Sequence, residues 1–254
     1  MNALAKRHAL VTGGGKGIGL AIAAALSAAG IEVSVLGRDQ AALERAVASG
    51  QARIAFVADV TDLASLKAAA GEAEQHRPID ILVNNAGGVE SAPFTRTEDA
   101  MFERLMTLNL MGPVRLSRIV LPGMIERGFG RIINIASTAG LKGYPYVCGY
   151  VAAKHAVVGL TRALAVETAK TGVTVNALCP GYSDTDLVRA SVERVSAKTG
   201  AAAKDVLAKL TSANPQARLV RPEEVAAAAV WLASDSAAAV TGQAIAIDGG
   251  ETVA

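Results

Sequence analysis

Residues 12–19 read Thr12-Gly13-Gly14-Gly15-Lys16-Gly17-Ile18-Gly19, directly after a β-branched apolar run and directly before an apolar helical pattern. A strand that ends in a glycine turn and runs straight into a helix constrains the fold more than any other feature of the chain. Glycines let the backbone turn sharply and approach a pyrophosphate, and the helix N-terminus adds unpaired N–H donors and a positive dipole. A second strand pattern at 31–36 completes a β-α-β unit, which turns a bare glycine-rich turn into a nucleotide-binding one. The spacing is Gly-x-x-x-Gly-x-Gly, carried by Gly13, Gly17 and Gly19. It is neither Gly-x-Gly-x-x-Gly nor a P-loop, because no Ser or Thr follows Lys16.

The same alternation continues to the C-terminus. Strand patterns lie at 8–12, 31–36, 52–58, 80–84, 131–136, 173–178 and 243–247. Helical patterns lie near 18–29, 39–49, 62–76, 98–126, 150–170, 186–211 and 222–233. Gly30 can close the first helix in the left-handed conformation, and Pro222 suits the first turn of the last. Strands alternating with helices imply a parallel sheet covered on both faces, and the continuous apolar runs 31–36 and 131–136 agree. The expected fold class is α/β: a doubly wound Rossmann-type sheet of seven parallel strands flanked by helices. Its ligand site belongs at the carboxyl ends of the strands. Without a linker or repeat, 1–254 reads as a single dinucleotide-binding and catalytic domain.

Composition narrows the function classes. Hydrophobic residues at 51% and charged residues at 19% exclude a disordered chain. Lys plus Arg total 25 against 23 for Asp plus Glu, so no basic field points to nucleic acid or an anionic membrane. No apolar run reaches the roughly 18 residues of a membrane helix. Lys6-Arg7 precedes an apolar stretch, but Thr12, the glycines and Lys16 cut it short of a signal peptide. Cys148 and Cys179 read as reduced thiols and the cytoplasm as the location. His8, His76 and His155 have no ligand spacing, so no metal is expected. His8 and His76 read as ordinary strand-start and surface residues, and His155 as structural.

At the end of the second strand an NAD enzyme would carry an acid for the ribose diol. This chain has Leu36-Gly37-Arg38, with no acid until Asp39. Lys16 and Arg38 can flank a 2′-phosphate, which favours NADP(H) over NAD(H).

Ser137, Tyr150 and Lys154 carry the chemistry. Tyr150 and Lys154 stand at i and i+4 on one helix face, and Ser137 follows the apolar strand 131–136. Free tyrosine, with a pKa of about 10, is a poor base. A nearby ammonium favours its phenolate and is expected to lower that pKa. The phenol can then protonate a carbonyl oxygen while the serine hydroxyl holds the same oxygen.

With these residues assembled, the chain resembles the short-chain dehydrogenases/reductases over essentially its full length. The resemblance rests on Gly13, Gly15, Lys16, Gly17, Ile18 and Gly19 in the cofactor loop. It rests also on Asp59-Val60, on Asn84-Asn85-Ala86-Gly87, on Asn109, on Ser137, Tyr150 and Lys154 with a thirteen-residue step from serine to tyrosine, and on Pro180-Gly181 and Thr185. It implies that Tyr150 is the acid/base and that Lys154 lowers its pKa and binds the nicotinamide ribose. Ser137 would orient substrate, and Asn109 would maintain a proton relay. Cofactor contacts are implied at Asp59, Val60, Asn85, Gly87, Pro180, Gly181, Ser183 and Thr185. Tyr144 and Tyr146 fall where the family builds a substrate wall, and 182–220 where it builds a lid. Asp184 and Asp186 read as caps of the following helix, and Trp231 as core or subunit interface. A homotetramer is expected. The segment 149–181 is similar to 3-oxoacyl-thioester reductases, polyketide ketoreductases and 3-hydroxybutyrate dehydrogenases. NADPH-dependent reduction of a 3-oxoacyl thioester or related ketone is therefore the expected activity. A sugar, polyol, steroid or aryl alcohol dehydrogenase is the alternative, and a non-catalytic NADP-binding regulator the reading from another class.

Overall fold

The computed structural model describes residues 7–253. Seven strands form one parallel sheet: β1 (His8–Thr12), β2 (Glu32–Gly37), β3 (Ile54–Val57), β4 (Ile81–Asn84), β5 (Gly130–Ile135), β6 (Val173–Pro180) and β7 (Ala244–Ile247), in the order β3-β2-β1-β4-β5-β6-β7. The chain leaves β1 in one direction and returns to its other side at β4. That reversal opens a crevice at the carboxyl ends of β1 and β4, where a ligand is expected in such a sheet.

Side chains alternate across the sheet and split the core in two. Ala9, Val11, Val33, Val35, Ile81 and Val83 pack against α1 (Gly17–Ala28), α2 (Gln40–Ala48) and α9 (Pro222–Ala233). Leu10, Leu36, Leu82 and Ile132 face α3 (Leu63–His76), α5 (Gly112–Glu126) and α6 (Cys148–Thr168). Both faces are apolar, which is why these strands read as continuous runs rather than alternating ones. Each fully buried leucine or isoleucine here contributes about 1.5–3 kcal/mol.

The helix ends follow local chemistry. Gly30 has φ 86°, its N–H donates to Ser27, and the Ile31 N–H donates to Leu26, which closes α1 as a Schellman turn. Pro222 opens α9, where the Glu224 carboxylate accepts from the Arg221 N–H at 2.8 Å.

Two expected helices are broken. The pattern at 98–126 divides into α4 (Asp99–Met106), a π-helical turn Thr107–Met111, and α5. Pro113, which has no N–H to give, follows that turn. The pattern at 186–211 divides into α7 (Asp186–Thr199) and α8 (Ala203–Thr211), because Gly200 takes the left-handed conformation at φ 73°. Asp184 and Asp186 do not cap α7. Both pair with Arg189, and Thr185 is the N-cap, with no side-chain cap bond. Trp231 is 42% exposed, which excludes a core role. His8 is not an ordinary strand-start residue: it is buried, with ring nitrogens 2.8 Å from the Arg77 carbonyl and the Ser34 hydroxyl, and burial lowers its pKa. His76 lies at the surface beside Glu32.

Candidate active site

The first β-α turn is built by contacts that only glycine permits. A Cβ on Gly13 would stand 2.8 Å from the Asn85 amide nitrogen, and one on Gly19 would land on the Gly13 carbonyl oxygen. The Asn85 side chain donates to the Thr12 carbonyl at 2.9 Å. The Thr12 hydroxyl accepts the Asn85 and Ala86 N–H groups, both at 2.9 Å. The turns after β1 and β4 are thereby clamped together. Lys16, the N-cap of α1, makes no side-chain cap bond, so the first-turn amides keep their donors for a ligand.

At the end of β2 the two expected cations are paired. Lys16 lies 2.5 Å from Asp39 and Arg38 lies 3.7 Å from Asp59. Asp59 also accepts the Thr61 N–H and hydroxyl, each at 2.8 Å. Val60 packs on Gly112, where a Cβ would stand 3.2 Å away.

Ser137 ends the extended stretch after β5, and its hydroxyl accepts the Ala139 N–H at 3.1 Å. It stands beside the Tyr150 phenol and favours its ionised form. Lys154, one turn along α6, donates to the Ile135 carbonyl at 2.8 Å, with its nitrogen 5.6 Å from the Tyr150 ring centre. The π-helical turn carries Asn109, a common use of that distortion. Its side chain accepts the Gly88 N–H at 3.1 Å and donates to the Gly88 and Leu105 carbonyls. Gly87 lies between Asn109 and Lys154: a Cβ there would be 2.7 Å from the Asn109 carbonyl oxygen and 3.7 Å from Nζ.

The electrostatics correct the sequence expectation. Burial pushes the Tyr150 phenol above its ordinary pKa, and the Ser137 hydroxyl only partly offsets this. The expected net lowering is absent: burial of the phenol outweighs the ammonium, and Lys154 is itself buried and pushed down to about 8.

These residues line one cleft of about 910 Å³. It contains Gly13, Gly15, Lys16, Gly17, Ile18, Arg38, Asp59, Val60, Asn85, Gly87, Asn109, Ser137, Tyr144, Tyr150, Lys154, Pro180, Gly181, Ser183 and Thr185. Across it, a Cβ on Gly17 would meet the Thr185 methyl at 3.2 Å. The expected Tyr146 is not part of the wall. It is 65% exposed at φ 67°, and its carbonyl accepts the Ala92 N–H at 2.8 Å. His155 is exposed, with its ring bonded to the Val151 carbonyl.

The family described as short chain dehydrogenase matches residues 7–196. The chain belongs to the short-chain dehydrogenases. Galactitol 2-dehydrogenase (L-tagatose-forming) of Cereibacter sphaeroides is 41% identical over 96% of this chain and 94% of that protein. Acetoacetyl-CoA reductase of Shinella zoogloeoides is 40% identical over 96% and 98%. The crystal structure of a variant actinorhodin polyketide ketoreductase with NADPH superposes with a TM-score of 0.94, at 36% identity and with both chains fully covered. This short-chain dehydrogenase is an oxidoreductase acting between a secondary alcohol and a ketone with a nicotinamide cofactor. The cradle of Gly13, Gly17 and Gly19, with the uncapped amides of α1, fits such a dinucleotide.

Sequence reasoning missed several residues. Asn134 stands directly across from Asn84 in the sheet, accepts its amide at 2.8 Å and passes a bond to Thr161 at 2.9 Å. A polar residue inside the apolar run 131–136 was the available signal. Glu251 is buried and accepts the Tyr144 hydroxyl. Nothing local to its sequence marked it.

Proposed function

We propose that this enzyme reduces a 3-oxoacyl thioester or related ketone with NADPH. The observation that carries the reading is the meeting of Ser137, Tyr150 and Lys154 inside one cleft, with a glycine cradle at one end and apolar walls at the other. Tyr150 is the acid. Burial keeps its phenol protonated, ready to give its proton to the carbonyl oxygen. Ser137 donates to the same oxygen and fixes it. Lys154, protonated at neutral pH, sets a positive charge beside the phenolate as it forms. Asn109 holds Gly88 and keeps the turn after β4 in place beside Lys154 for the proton relay. When bound, the nicotinamide supplies the hydride. Asn85, Gly87, Pro180, Gly181, Ser183 and Thr185 would hold that end, Asp59 and Val60 the adenine, and Lys16 and Arg38 the 2′-phosphate.

The substrate half of the cleft supports a ketone over a sugar or polyol. Val89, Ala139, Val147, Tyr182 and Val188 offer carbon surface. The hydroxyls of Tyr144 and Thr138 are already bonded, to each other and to Glu251. Each extra substrate hydroxyl left without a partner there costs about 1–3 kcal/mol. The segment 182–220 serves as the lid, its base closed by the Ser183–Val220 bridge. Both cysteines are free thiols, in keeping with work in the cytoplasm. Val166 at 80% exposure and half-exposed Ile125 and Trp231 suit the contacts of a homotetramer, which light scattering after gel filtration would test.

The deciding experiment follows NADPH and NADH consumption with acetoacetyl-CoA. NADPH-selective turnover is expected, reduced about 10²–10⁴-fold in Tyr150→Phe. A preference for NADH would overturn the roles of Lys16 and Arg38. NADPH binding without turnover would overturn the thioester and leave other ketones.

A further inference from the structure

Three segments far apart in the chain meet at one buried carboxylate. Glu251 follows β7, after a turn held by Asp248, whose oxygens accept from Gly250 and Thr252. Gly249 and Gly250, at φ 66° and 96°, let that turn fold back under β6. The Glu251 side chain is 2% exposed. A Cβ on Gly181 would stand 3.2 Å from its Oε2. Its Oε1 accepts the Tyr144 hydroxyl and lies 3.2 Å from Lys142 Nζ. Lys142 also donates to the Glu251 carbonyl at 3.3 Å.

The proton inventory fixes the direction of the bonds. A carboxylate only accepts, so Tyr144 must donate its single proton to Glu251. The 2.7 Å contact between Tyr144 and Thr138 then runs from the Thr138 hydroxyl to the phenol oxygen. Tyr144 is left without a donor for a ligand. Its ring stands edge-on to Tyr182, at 6.3 Å and 86°, and Tyr182 begins the 182–220 segment.

We infer that Glu251 is a positioning residue that fixes the substrate wall. By taking the Tyr144 proton, it holds the phenol against the protein and presents the ring to the ketone. It also ties the 138–144 loop to the base of the 182–220 segment. The inference rests on the reading that the ketone occupies the cleft beside Tyr150. Glu251 touches neither Tyr150 nor Lys154, so its effect belongs in KM and substrate choice rather than in kcat.

The test compares wild type, Glu251→Gln, Tyr144→Phe and the double variant. KM is measured for acetoacetyl-CoA, or for the best ketone of a panel should the wild type not reduce it. Amide hydrogen exchange over 138–147 is measured alongside, because it needs no substrate. Glu251→Gln is expected to raise KM about tenfold with kcat changed less than about threefold. Tyr144→Phe is expected to do the same, and the double variant no more than either. Exchange over 138–147 is expected to quicken in both single variants. If Glu251→Gln folds poorly, Tyr144→Phe removes the same bond and decides the question alone. Unchanged KM and unchanged exchange in a folded variant would overturn the inference, as would fully additive effects. A lower Tm without either change would make Glu251 a stabilising residue only. Failure on acetoacetyl-CoA with quickened exchange would count against the thioester and not against Glu251.

Discussion

Lys16 Nζ lies 2.5 Å from Asp39 Oδ2, across the turns that follow β1 and β2. One of the two cations at the ribose end of the cleft is therefore held by a carboxylate. A 2′-phosphate must share Lys16 with Asp39, whereas a ribose diol can bond Asp39 directly. Asp39→Asn is expected to raise the ratio of kcat/KM for NADPH over NADH by about 5–30-fold. Steady-state kinetics with both cofactors check this. An unchanged ratio would show that Asp39 does not limit Lys16.

A methyl group at Gly19 has nowhere to go, because it meets the Gly13 carbonyl oxygen and the Asn85 amide. Gly19→Ala is expected to cost about 2–4 kcal/mol and to abolish cofactor binding. Thermal unfolding and a fluorescence titration with NADPH are the readouts. Tight binding at wild-type Tm would contradict the cradle.

Lys154 is pushed down to about 8 by burial, so it loses its proton near that pH. Tyr150 is pushed up and stays protonated over the same range. The reductive kcat is thus expected to hold steady through neutrality and to fall as pH rises through about 8. Lys154→Arg, which keeps its charge, should lose that alkaline limb. A wild-type profile flat well above pH 8 would remove Lys154 from this role.

Glu224 is held down to about 2, first by the Arg218 side chain and then by the Arg221 N–H. Its folded pKa lies below its ordinary value of 4.5. The stability it contributes is complete above that value and is lost as pH falls toward about 2. Glu224→Gln is expected to lower Tm by about 2 °C at neutral pH, since the pair is partly solvated. The gap should close in acid. A gap that persists at low pH would point to packing rather than charge.

Much of this was legible in local sequence. The strand patterns fall within about two residues of β1 to β7 because a parallel sheet buried on both faces demands unbroken apolar runs. The glycine turn and the pairing of Tyr150 with Lys154 were legible for a similar reason, since fixed spacing next to or on a regular element sets direction, whereas Asn109 was reached only through the family resemblance. Where a residue breaks regularity, the reading failed. Gly200 split one expected helix, and the π-helical turn before Pro113 split another. Tyr146 was expected in the wall beside Tyr144, yet its left-handed backbone turns it to solvent.

The sequence by itself determined the order of elements, the glycine turn after β1 and the helix face shared by Tyr150 and Lys154, because each depends on neighbours a few residues away. Tertiary structure alone decided the rest. It joined Glu251 to Tyr144 across 107 residues, paired Lys16 with Asp39, and moved the Tyr150 and Lys154 protons in the directions opposite to free charges in water. The physical reason is that burial and long-range pairing are set by what packs around a group, and desolvation depends on that surrounding volume and not on the chain beside it.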